Sequence, residues 1–361
     1  MNAIRYDSSD VAIRMRNVTK IFGKNSLAAQ ALLDAGRSKT DVQAETGCVI
    51  GLNDVSIDVA PSQIFVVMGL SGSGKSTLIR HVNRLIEPTS GEILVDGADV
   101  RQMANDELRH FRRHKVAMVF QKFGLLPHRS VLDNVAYGLE VRGVGRHARL
   151  EKAAKWIETV GLAGYEKSRP RELSGGQQQR VGLARALALD TDILLMDEAF
   201  SALDPLIRSG MQDQLISLQR SLNKTILFIT HDFDEALKIG DRVAVLRDGV
   251  VQQQGRPEEI VLRPANDHIE QFVRDVNKAR AIHVSSIMEQ GKFSVCDAAV
   301  PPTARCDDVL PLFAANQWVG VIDEFGHQIG RVTSQQVIAA LARHTPPARQ
   351  LLQASPGEQH E

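Results

Sequence analysis

The chain has 361 residues, of which 43% are hydrophobic and 24% are charged, and its 43 basic side chains balance its 43 acidic ones. This length favours two domains, and the composition is that of a globular protein with a sizeable core. Zero formal net charge gives no support for a nucleic-acid-binding protein, and three scattered cysteines argue against a disulfide framework and favour a reducing cytosol.

The N-terminus has no apolar core of signal-peptide length, and no uncharged apolar run approaches the ~18 residues of a membrane-spanning helix. We therefore expect a chain that has no visible export signal and does not span a membrane. Docking on a membrane protein stays compatible with both observations.

Residues 25–47 stand apart from the strands on either side of them. Their first half is rich in Ala and Leu, which predicts a short helix, and Thr40 and Gln43 have capping-box spacing for a second helix. Gly36 and Gly47 should end the two helices. We predict an inserted helical hairpin.

Short apolar runs then alternate with helical patterns up to about residue 272. The runs read as strands are residues 64–68, 116–120, 192–196, 225–230 and 242–246. Most of these runs are apolar at consecutive positions, as in strands that are covered on both faces. The main helical patterns between them cover residues 149–160, 176–188 and 205–220. This order predicts an α/β fold with a mainly parallel sheet, and Asp-Gly pairs at 96–97 and 248–249 predict antiparallel hairpins beside it.

The chain changes character after residue 275. Residues 318–341 indicate a strand, a turn at Glu324, a second strand and a helix, and the end of the chain is rich in Pro, Gln and Ser. We expect a first domain over residues 1–275, a small α+β module over 276–345 and a disordered tail over 346–361.

A glycine-rich loop follows the strand at 64–68 and precedes a helix, and it matches the P-loop pattern G-x-x-x-x-G-K-S. Glycines let backbone N–H groups surround an anion, and the helix N-terminus adds partial positive charge. Lys75 can reach the terminal phosphates and Ser76 can bind Mg²⁺. The predicted nucleotide-binding loop consists of Gly69, Leu70, Ser71, Gly72, Ser73, Gly74, Lys75, Ser76 and Thr77.

Two acidic residues end the apolar strand at 192–196, at the edge where open α/β sheets bind ligands. Asp197 is the candidate metal-side carboxylate, and Glu198 is free to polarise an attacking water. Together with the P-loop, this pair predicts a P-loop NTPase, a class in which kinases, helicases and GTPases all remain possible.

The stretch LSGGQQQR at residues 173–180 narrows the class. Ser174 can cap the helix that follows, and Gly175 and Gly176 expose backbone N–H groups at its positive end, which predicts a second anion site. With this motif the sequence resembles the nucleotide-binding subunits of ABC transporters.

The other ABC motifs follow in the family's order. Gln121 matches the Q-loop glutamine that touches metal and water, Asp204 ends the D-loop match at 201–204, and His231 matches the switch histidine at the γ-phosphate. Phe22 stands where the family has an aromatic that stacks on adenine.

The family likeness also predicts how these residues act. It implies catalytic roles for Glu198, His231 and Gln121, and a Mg²⁺ site of Ser76, Gln121 and Asp197. It further implies that the signature residues act on ATP held by a second copy of the chain, so that two ATP molecules lie in a dimer. The signature residues are Ser174, Gly175, Gly176 and Gln177.

The likeness extends further, to the ATPases of bacterial quaternary-amine importers, over residues 11–276. Ala199, which stands where most ABC proteins have proline, is part of this closer match. The resemblance implies an ATP-hydrolysing subunit for uptake of glycine betaine, proline betaine or choline, peripheral on the cytoplasmic face of the bacterial inner membrane. It implies transmembrane permease subunits held by the loop at 122–139, a substrate-binding protein as an indirect partner, and no nucleic acid.

Two other functions stay open: an importer ATPase for another solute such as an amino acid, and a soluble ABC ATPase acting on nucleic acid or the ribosome. Residues 318–341 resemble part of a CBS motif, and the space from 280 to 343 fits about one such motif. A sensor and a simple packing or dimerisation module are both compatible with that length.

Overall fold

The computed structural model describes residues 11–342, except for residues 122, 202, 275–276, 292 and 294–297. The chain divides into two compact units between Arg256 and Pro257. The tail predicted for residues 346–361 lies outside the described residues, and the sequence-based domain limits stay a prediction. No helix among the described residues is long and apolar enough to cross a membrane.

The first unit combines two sheets with helices. Its strands are β1 (Ile13–Phe22), β2 (Val49–Val59), β3 (Ile64–Met68), β4 (Ser90–Val95), β5 (Ala98–Asp99), β6 (Val116–Val119), β7 (Ile193–Asp197), β8 (Thr225–Thr230), β9 (Arg242–Arg247) and β10 (Val250–Gly255). Its helices are α1 (Ser26–Asp34), α2 (Lys39–Thr46), α3 (Lys75–Val82), α4 (Asn105–His114), α5 (Val131–Val141), α6 (Arg146–Thr159), α7 (Gly175–Ala188), α8 (Pro205–Leu222) and α9 (Phe233–Ile239). A 3-10 turn covers Pro170–Glu172.

The main sheet has the strand order β10-β9-β3-β8-β7-β6, and its strands are parallel except for β10. Every residue of β3, β7 and β8 is buried, which is why these strands read as unbroken apolar runs. The predicted parallel sheet is therefore confirmed. The Asp248–Gly249 turn differs from the expectation, because the β9–β10 hairpin forms the edge of the main sheet instead of lying beside it.

A second, antiparallel sheet has the order β2-β1-β4-β5, and its β4–β5 hairpin turns at the predicted Asp96–Gly97 pair. One hydrophobic core joins the two sheets around α3. It includes Met15 of β1, Leu78 of α3 and Leu227 of β8, each fully buried. This packing fixes the helix that follows the glycine-rich loop against both sheets.

Two helices, α1 and α2, occupy the segment that interrupts the strands. Ala29 and Val42 bury their side chains against Ile21 and Ile50 of the antiparallel sheet. The cap of α2 is Ser38, whose Oγ accepts from the backbone N–H of Asp41 at 3.1 Å, so the predicted cap at Thr40 is wrong. Serine two residues earlier has the extended backbone that a cap needs.

The second unit contains α10 (Pro257–Leu262), α11 (Asp267–Arg274), α12 (Lys278–Ala281), β11 (Glu289–Gln290), β12 (Ala299–Val300), α13 (Cys306–Val309), β13 (Trp318–Ile322), β14 (Gln328–Thr333) and α14 (Ser334–Ala342), with 3-10 turns at Val284–Ser286 and Leu310–Ala314. Its sheet has the order β11-β14-β13-β12, with β12 parallel to β13. The predicted strand, turn, strand and helix are β13, β14 and α14. The CBS-like assignment stays a prediction.

Candidate nucleotide site

The candidate site lies at one edge of the main sheet, where the parallel strands end. The loop after β3 begins at Gly69, β7 ends at Asp197, and His231 follows β8, which lies between them. Gln121 follows β6, the neighbour of β7. Four loops that are far apart in the chain therefore meet at the edge where α/β proteins bind ligands.

The glycine-rich loop fits its place only because of its glycines. Gly69 has φ of +155°, and a Cβ there would lie 2.0 Å from the carbonyl oxygen of Leu246. Gly74, the N-cap of α3, has φ of +104°, and a Cβ there would lie 2.4 Å from the carbonyl oxygen of Gly51. The two ends of the loop are thus closely packed against the backbone of neighbouring segments. A Cβ at Gly72, in the middle of the loop, would meet nothing among the described residues.

Lys75 folds back over this loop. Its Nζ donates to the carbonyl oxygens of Gly69 at 2.7 Å and Leu70 at 2.9 Å, and the residue is 4% exposed. Burial lowers the pKa of Lys75, and the nearby carboxylates of Glu198 and Asp197 oppose that shift. The ammonium therefore sits inside the curve of the loop, where a phosphate could replace its carbonyl partners.

The first turn of α3 meets the end of β7. Ser76 Oγ donates to Asp197 Oδ1 at 2.8 Å, and Arg80 Nη2 donates to Asp197 Oδ2 at 3.2 Å. The Asp197 carboxylate is fully buried, so both of its oxygens need such partners. Sequence reasoning missed Arg80, although it lies one helical turn after Ser76 and hence on the same face of α3.

Glu198 lies at the centre of the site in a left-handed conformation, with φ of +47°. Its Oε2 accepts from Gln121 Nε2 at 2.8 Å and lies 3.4 Å from His231 Nδ1, and its Oε1 lies 3.9 Å from Lys75 Nζ. Glu198 thus contacts both of the other proposed catalytic side chains. A strained backbone at a polar cluster is typical of functional sites, where surrounding contacts hold it in place.

Phe22, at the end of β1, is 39% exposed. Its ring covers Gly51, where an added Cβ would be 2.7 Å from the ring and 3.4 Å from the methyl group of Thr77. Lys20 Nζ lies 5.0 Å from the ring centroid. The exposed ring therefore adjoins the helix that follows the glycine-rich loop, as stacking on a base would require.

The signature residues lie at the start of α7. Ser174 Oγ accepts from Gln177 N at 3.3 Å, and Gln177 Oε1 accepts from Ser174 N at 2.9 Å, so the predicted cap is a capping box. A Cβ on Gly175 would meet nothing among the described residues, whereas one on Gly176 would lie 3.0 Å from the Leu203 side chain. These residues bond to each other and approach the D-loop.

Asp204 closes the D-loop and caps the next helix. It is the N-cap of α8, and its Oδ1 accepts from Ile207 N at 3.0 Å. Earlier in the loop, Ser201 Oγ donates to the carbonyl oxygen of Glu198 at 3.0 Å. The D-loop therefore begins at the backbone carbonyl of Glu198 and ends at a helix cap.

The residues proposed for Mg²⁺ fit that ion. Ser76, Asp197 and Gln121 offer a hydroxyl, a carboxylate and an amide oxygen, which are the hard donors that Mg²⁺ prefers. Among the described residues, no group of three or more His, Cys, Asp or Glu side chains is arranged to hold a metal. The proposed set contains one carboxylate, and Mg²⁺ commonly completes such sites with phosphate oxygens and water.

Comparisons with known proteins identify the fold and the family. The family model described as "ABC transporter" matches residues 52–201. A solved dimeric ATP-binding cassette, MJ0796 in a post-hydrolysis state bound to ADP and Pi, aligns with a TM-score of 0.59 and 30% identity, covering 68% of this chain and 98% of that one. The predicted ABC cassette fold is confirmed.

Curated relatives include the glycine betaine transport ATP-binding protein OpuAA of Bacillus subtilis strain 168, 51% identical over 79% of this chain and 68% of its own length. The trimethylamine N-oxide transport system ATP-binding protein TmoW of Ruegeria pomeroyi is 48% identical over 90% of this chain and 97% of its own length. The chain therefore belongs to the ABC transporter family, as one of its ATP-binding proteins, which are ATPases coupled to transport.

Proposed function

We propose that this protein is the ATP-hydrolysing motor subunit of a bacterial importer for small solutes with a methylated ammonium group, glycine betaine foremost. The contact of Glu198 with Gln121, His231 and Lys75 at the end of a P-loop carries the catalytic part of this proposal. The relatives named for glycine betaine and trimethylamine N-oxide transport support the cargo class.

ATP binds with its phosphates in the glycine-rich loop. Backbone N–H groups of residues 70–77 and the N-terminus of α3 supply donors, and Lys75 exchanges its two carbonyl partners for phosphate oxygens. The adenine stacks on Phe22, whose exposed ring borders the loop. Burial lowers the pKa of Lys75, and bound phosphates raise that pKa again, because their negative charge favours the charged form of the lysine.

Hydrolysis uses the carboxylate of Glu198. A water held by Glu198 attacks the γ-phosphorus, the bond to the β–γ bridging oxygen breaks, and the water's proton passes to the carboxylate. Gln121 and His231 orient Glu198 through its Oε2. The family resemblance assigns His231 a further contact with the γ-phosphate. Mg²⁺, when held by Ser76, Asp197 and Gln121, neutralises phosphate charge.

A second copy completes each site. The start of α7 presents the backbone N–H groups of Gly175 and Gly176 at a positive helix end, fixed by the Ser174–Gln177 capping box. Facing the γ-phosphate bound by a partner, these groups would close two ATP molecules into a dimer, as proposed from the sequence. The dimeric state of the solved cassette supports this arrangement.

The motor acts on transmembrane permease subunits at the cytoplasmic face of the inner membrane, and a substrate-binding protein delivers the solute to them. The docking region is residues 122–139, which consist of a loop followed by most of α5. The far end of the loop is held by the buried Asn134 amide through bonds to Leu126, Arg129 and Ser130. A loop whose far end is held in this way can transmit a conformational change of the permease to Gln121. Lys122 itself lies outside the described residues.

Trimethylamine N-oxide is a second candidate cargo. The TmoW match covers 90% of this chain, including residues beyond the cassette, whereas the OpuAA match covers 79%. Both cargoes present three methyl groups on a nitrogen, so one permease chemistry suits either of them.

Uptake by a deletion strain tests the proposal. The strain is complemented with the wild-type chain or with Glu198→Gln, and uptake of labelled glycine betaine, choline and trimethylamine N-oxide is measured, with a labelled amino acid as a control. We expect wild type to restore uptake of at least one methylated ammonium compound and Glu198→Gln to bind ATP without hydrolysing it or restoring uptake. Normal uptake of all three without the subunit, or restored uptake of the amino acid alone, would refute the cargo class. Normal hydrolysis by Glu198→Gln would refute the role of that carboxylate.

A further inference from the structure

Arg208, on the first turns of α8, joins two loops of the site that the chain separates. Its Nη2 donates to the carbonyl oxygen of Leu203 in the D-loop at 3.1 Å. Its Nη1 donates to Asp232 Oδ2 at 3.0 Å, directly after His231. One planar guanidinium thus fixes the end of the D-loop to the loop that carries the switch histidine.

Asp232 is held from two sides. Its second oxygen, Oδ1, accepts from the backbone N–H of Glu235 at 3.1 Å as the N-cap of α9, and its own N–H donates to Thr230 Oγ1 at 2.9 Å. Beneath this cap, the buried Glu235 accepts from Gln212 Nε2 at 3.0 Å, and Gln212 is itself on α8. The residue next to His231 therefore has little freedom to move relative to α8.

These contacts close a ring through the catalytic carboxylate. Glu198 contacts His231 through its side chain and Ser201 through its carbonyl oxygen, so it touches both loops that Arg208 joins. Arg208 and Asp232 are 28% and 33% exposed at their side chains, which shields the ion pair from part of the solvent. Arg208 Nε is buried and has no hydrogen-bond partner among the described residues, so the contacts with Leu203 and Asp232 account for the placement of the guanidinium.

We propose that Arg208 is a positioning residue: anchored on the Leu203 carbonyl of the D-loop, it sets His231 against Glu198 through Asp232. The proposal rests on the hydrolytic function proposed above and deepens it. Arg208 touches neither nucleotide nor water in this scheme. Its loss should therefore slow the chemical step while leaving ATP binding to the glycine-rich loop intact.

The test uses the purified full-length chain and steady-state ATPase kinetics, with a fluorescent ATP analogue to measure binding. Loss of a side chain that supports a catalytic group typically lowers activity by about 10- to 100-fold. Arg208→Met should therefore lower kcat by roughly tenfold, with little change in KM or in affinity for the analogue. Arg208→Lys, which keeps the charge and can reach one partner, should recover part of the lost rate. Arg220→Met, at an exposed residue in the last turn of the same helix, is the matched control and should keep the wild-type kcat.

A double variant separates positioning from general damage. If Arg208 acts through His231, then His231→Ala with Arg208→Met should be no slower than His231→Ala alone. If Arg208→Met does not fold, Asp232→Asn is the alternative variant, because asparagine still caps α9 while the ion pair with Arg208 is lost. Asp232→Asn should lower kcat and leave the melting temperature unchanged.

Three results would overturn the proposal: an Arg208→Met variant with wild-type kcat, one that loses analogue affinity as much as kcat, or a double variant whose losses multiply. The proposed hydrolytic function is judged separately, by whether the wild-type chain hydrolyses ATP and Glu198→Gln does not.

Discussion

Lowering the pH should destabilise this protein through one buried histidine. His81 lies in the last turn of α3 and is fully buried; its Nδ1 pairs with the carbonyl oxygen of Thr77, and its Nε2 is buried without a partner among the described residues. Burial lowers the pKa of His81 from 6.5 to about 4; Lys20 lowers it further, while Thr77 and Glu87 oppose the shift. In the folded protein His81 is therefore neutral at pH 5.

The size of the effect follows from that pKa difference. The unfolded chain takes up a proton as the pH falls through 6.5 and the folded chain does not, so stability is complete above pH 6.5 and is lost towards pH 4. Each pKa unit corresponds to about 1.4 kcal/mol, so the full loss is about 3 kcal/mol, of which about 2 kcal/mol occurs by pH 5.

Urea unfolding at pH 8 and pH 5 measures this loss, and His81→Asn removes it. Asparagine can still donate to the Thr77 carbonyl but does not titrate. The variant should be less stable than wild type at pH 8, and its further loss on going to pH 5 should be smaller by about 2 kcal/mol. His147→Asn, at a side chain that is 96% exposed, is the control and should keep the wild-type pH response. An equal pH response in wild type and His81→Asn would refute the reasoning.

Three further predictions concern other buried or strained positions. Burial raises the pKa of Glu235, so the stability that its protonated form contributes is lost as the pH rises from the ordinary value of 4.5 through the raised pKa. Glu235→Gln does not titrate and should therefore gain melting temperature relative to wild type as the pH rises above 4.5, and a constant difference would contradict this. Gly74→Ala should abolish binding of a fluorescent ATP analogue, because the new Cβ would meet the Gly51 carbonyl. Gly97 also has a positive φ, but a Cβ there would meet nothing among the described residues, so Gly97→Ala should cost only about 1 kcal/mol of strain and bind the analogue normally. Similar binding by both variants would count against the packing argument. Asn134→Ala should lower the free energy of unfolding by about 2–3 kcal/mol, because several backbone groups lose their buried partner. A decrease in that free energy no larger than the one caused by an alanine substitution at an exposed position would disprove this prediction.

Much of the fold could be predicted because it depends on local patterns. The buried strands β3, β7 and β8 are unbroken apolar runs, the glycine-rich loop sits between a strand and a helix, and Ser174 precedes glycines at a helix start. The cap at Ser38 was missed because Thr40 has equally suitable chemistry, and only the backbone conformation distinguishes them. Capping depends on φ and ψ, which the residue type alone leaves undecided.

By itself, the sequence determined which side chains are candidates for the chemistry, because Lys75, Asp197, Glu198 and Ser174 belong to motifs whose spacing is set by one loop or one helix turn. The tertiary structure alone decided which of them touch. The insertion of β8 between β3 and β7 brings His231 to Glu198, and the packing of α8 brings Arg208 to Asp232. Strand order and helix packing arise from burial of apolar surface between distant segments, so these contacts have no signature in local sequence.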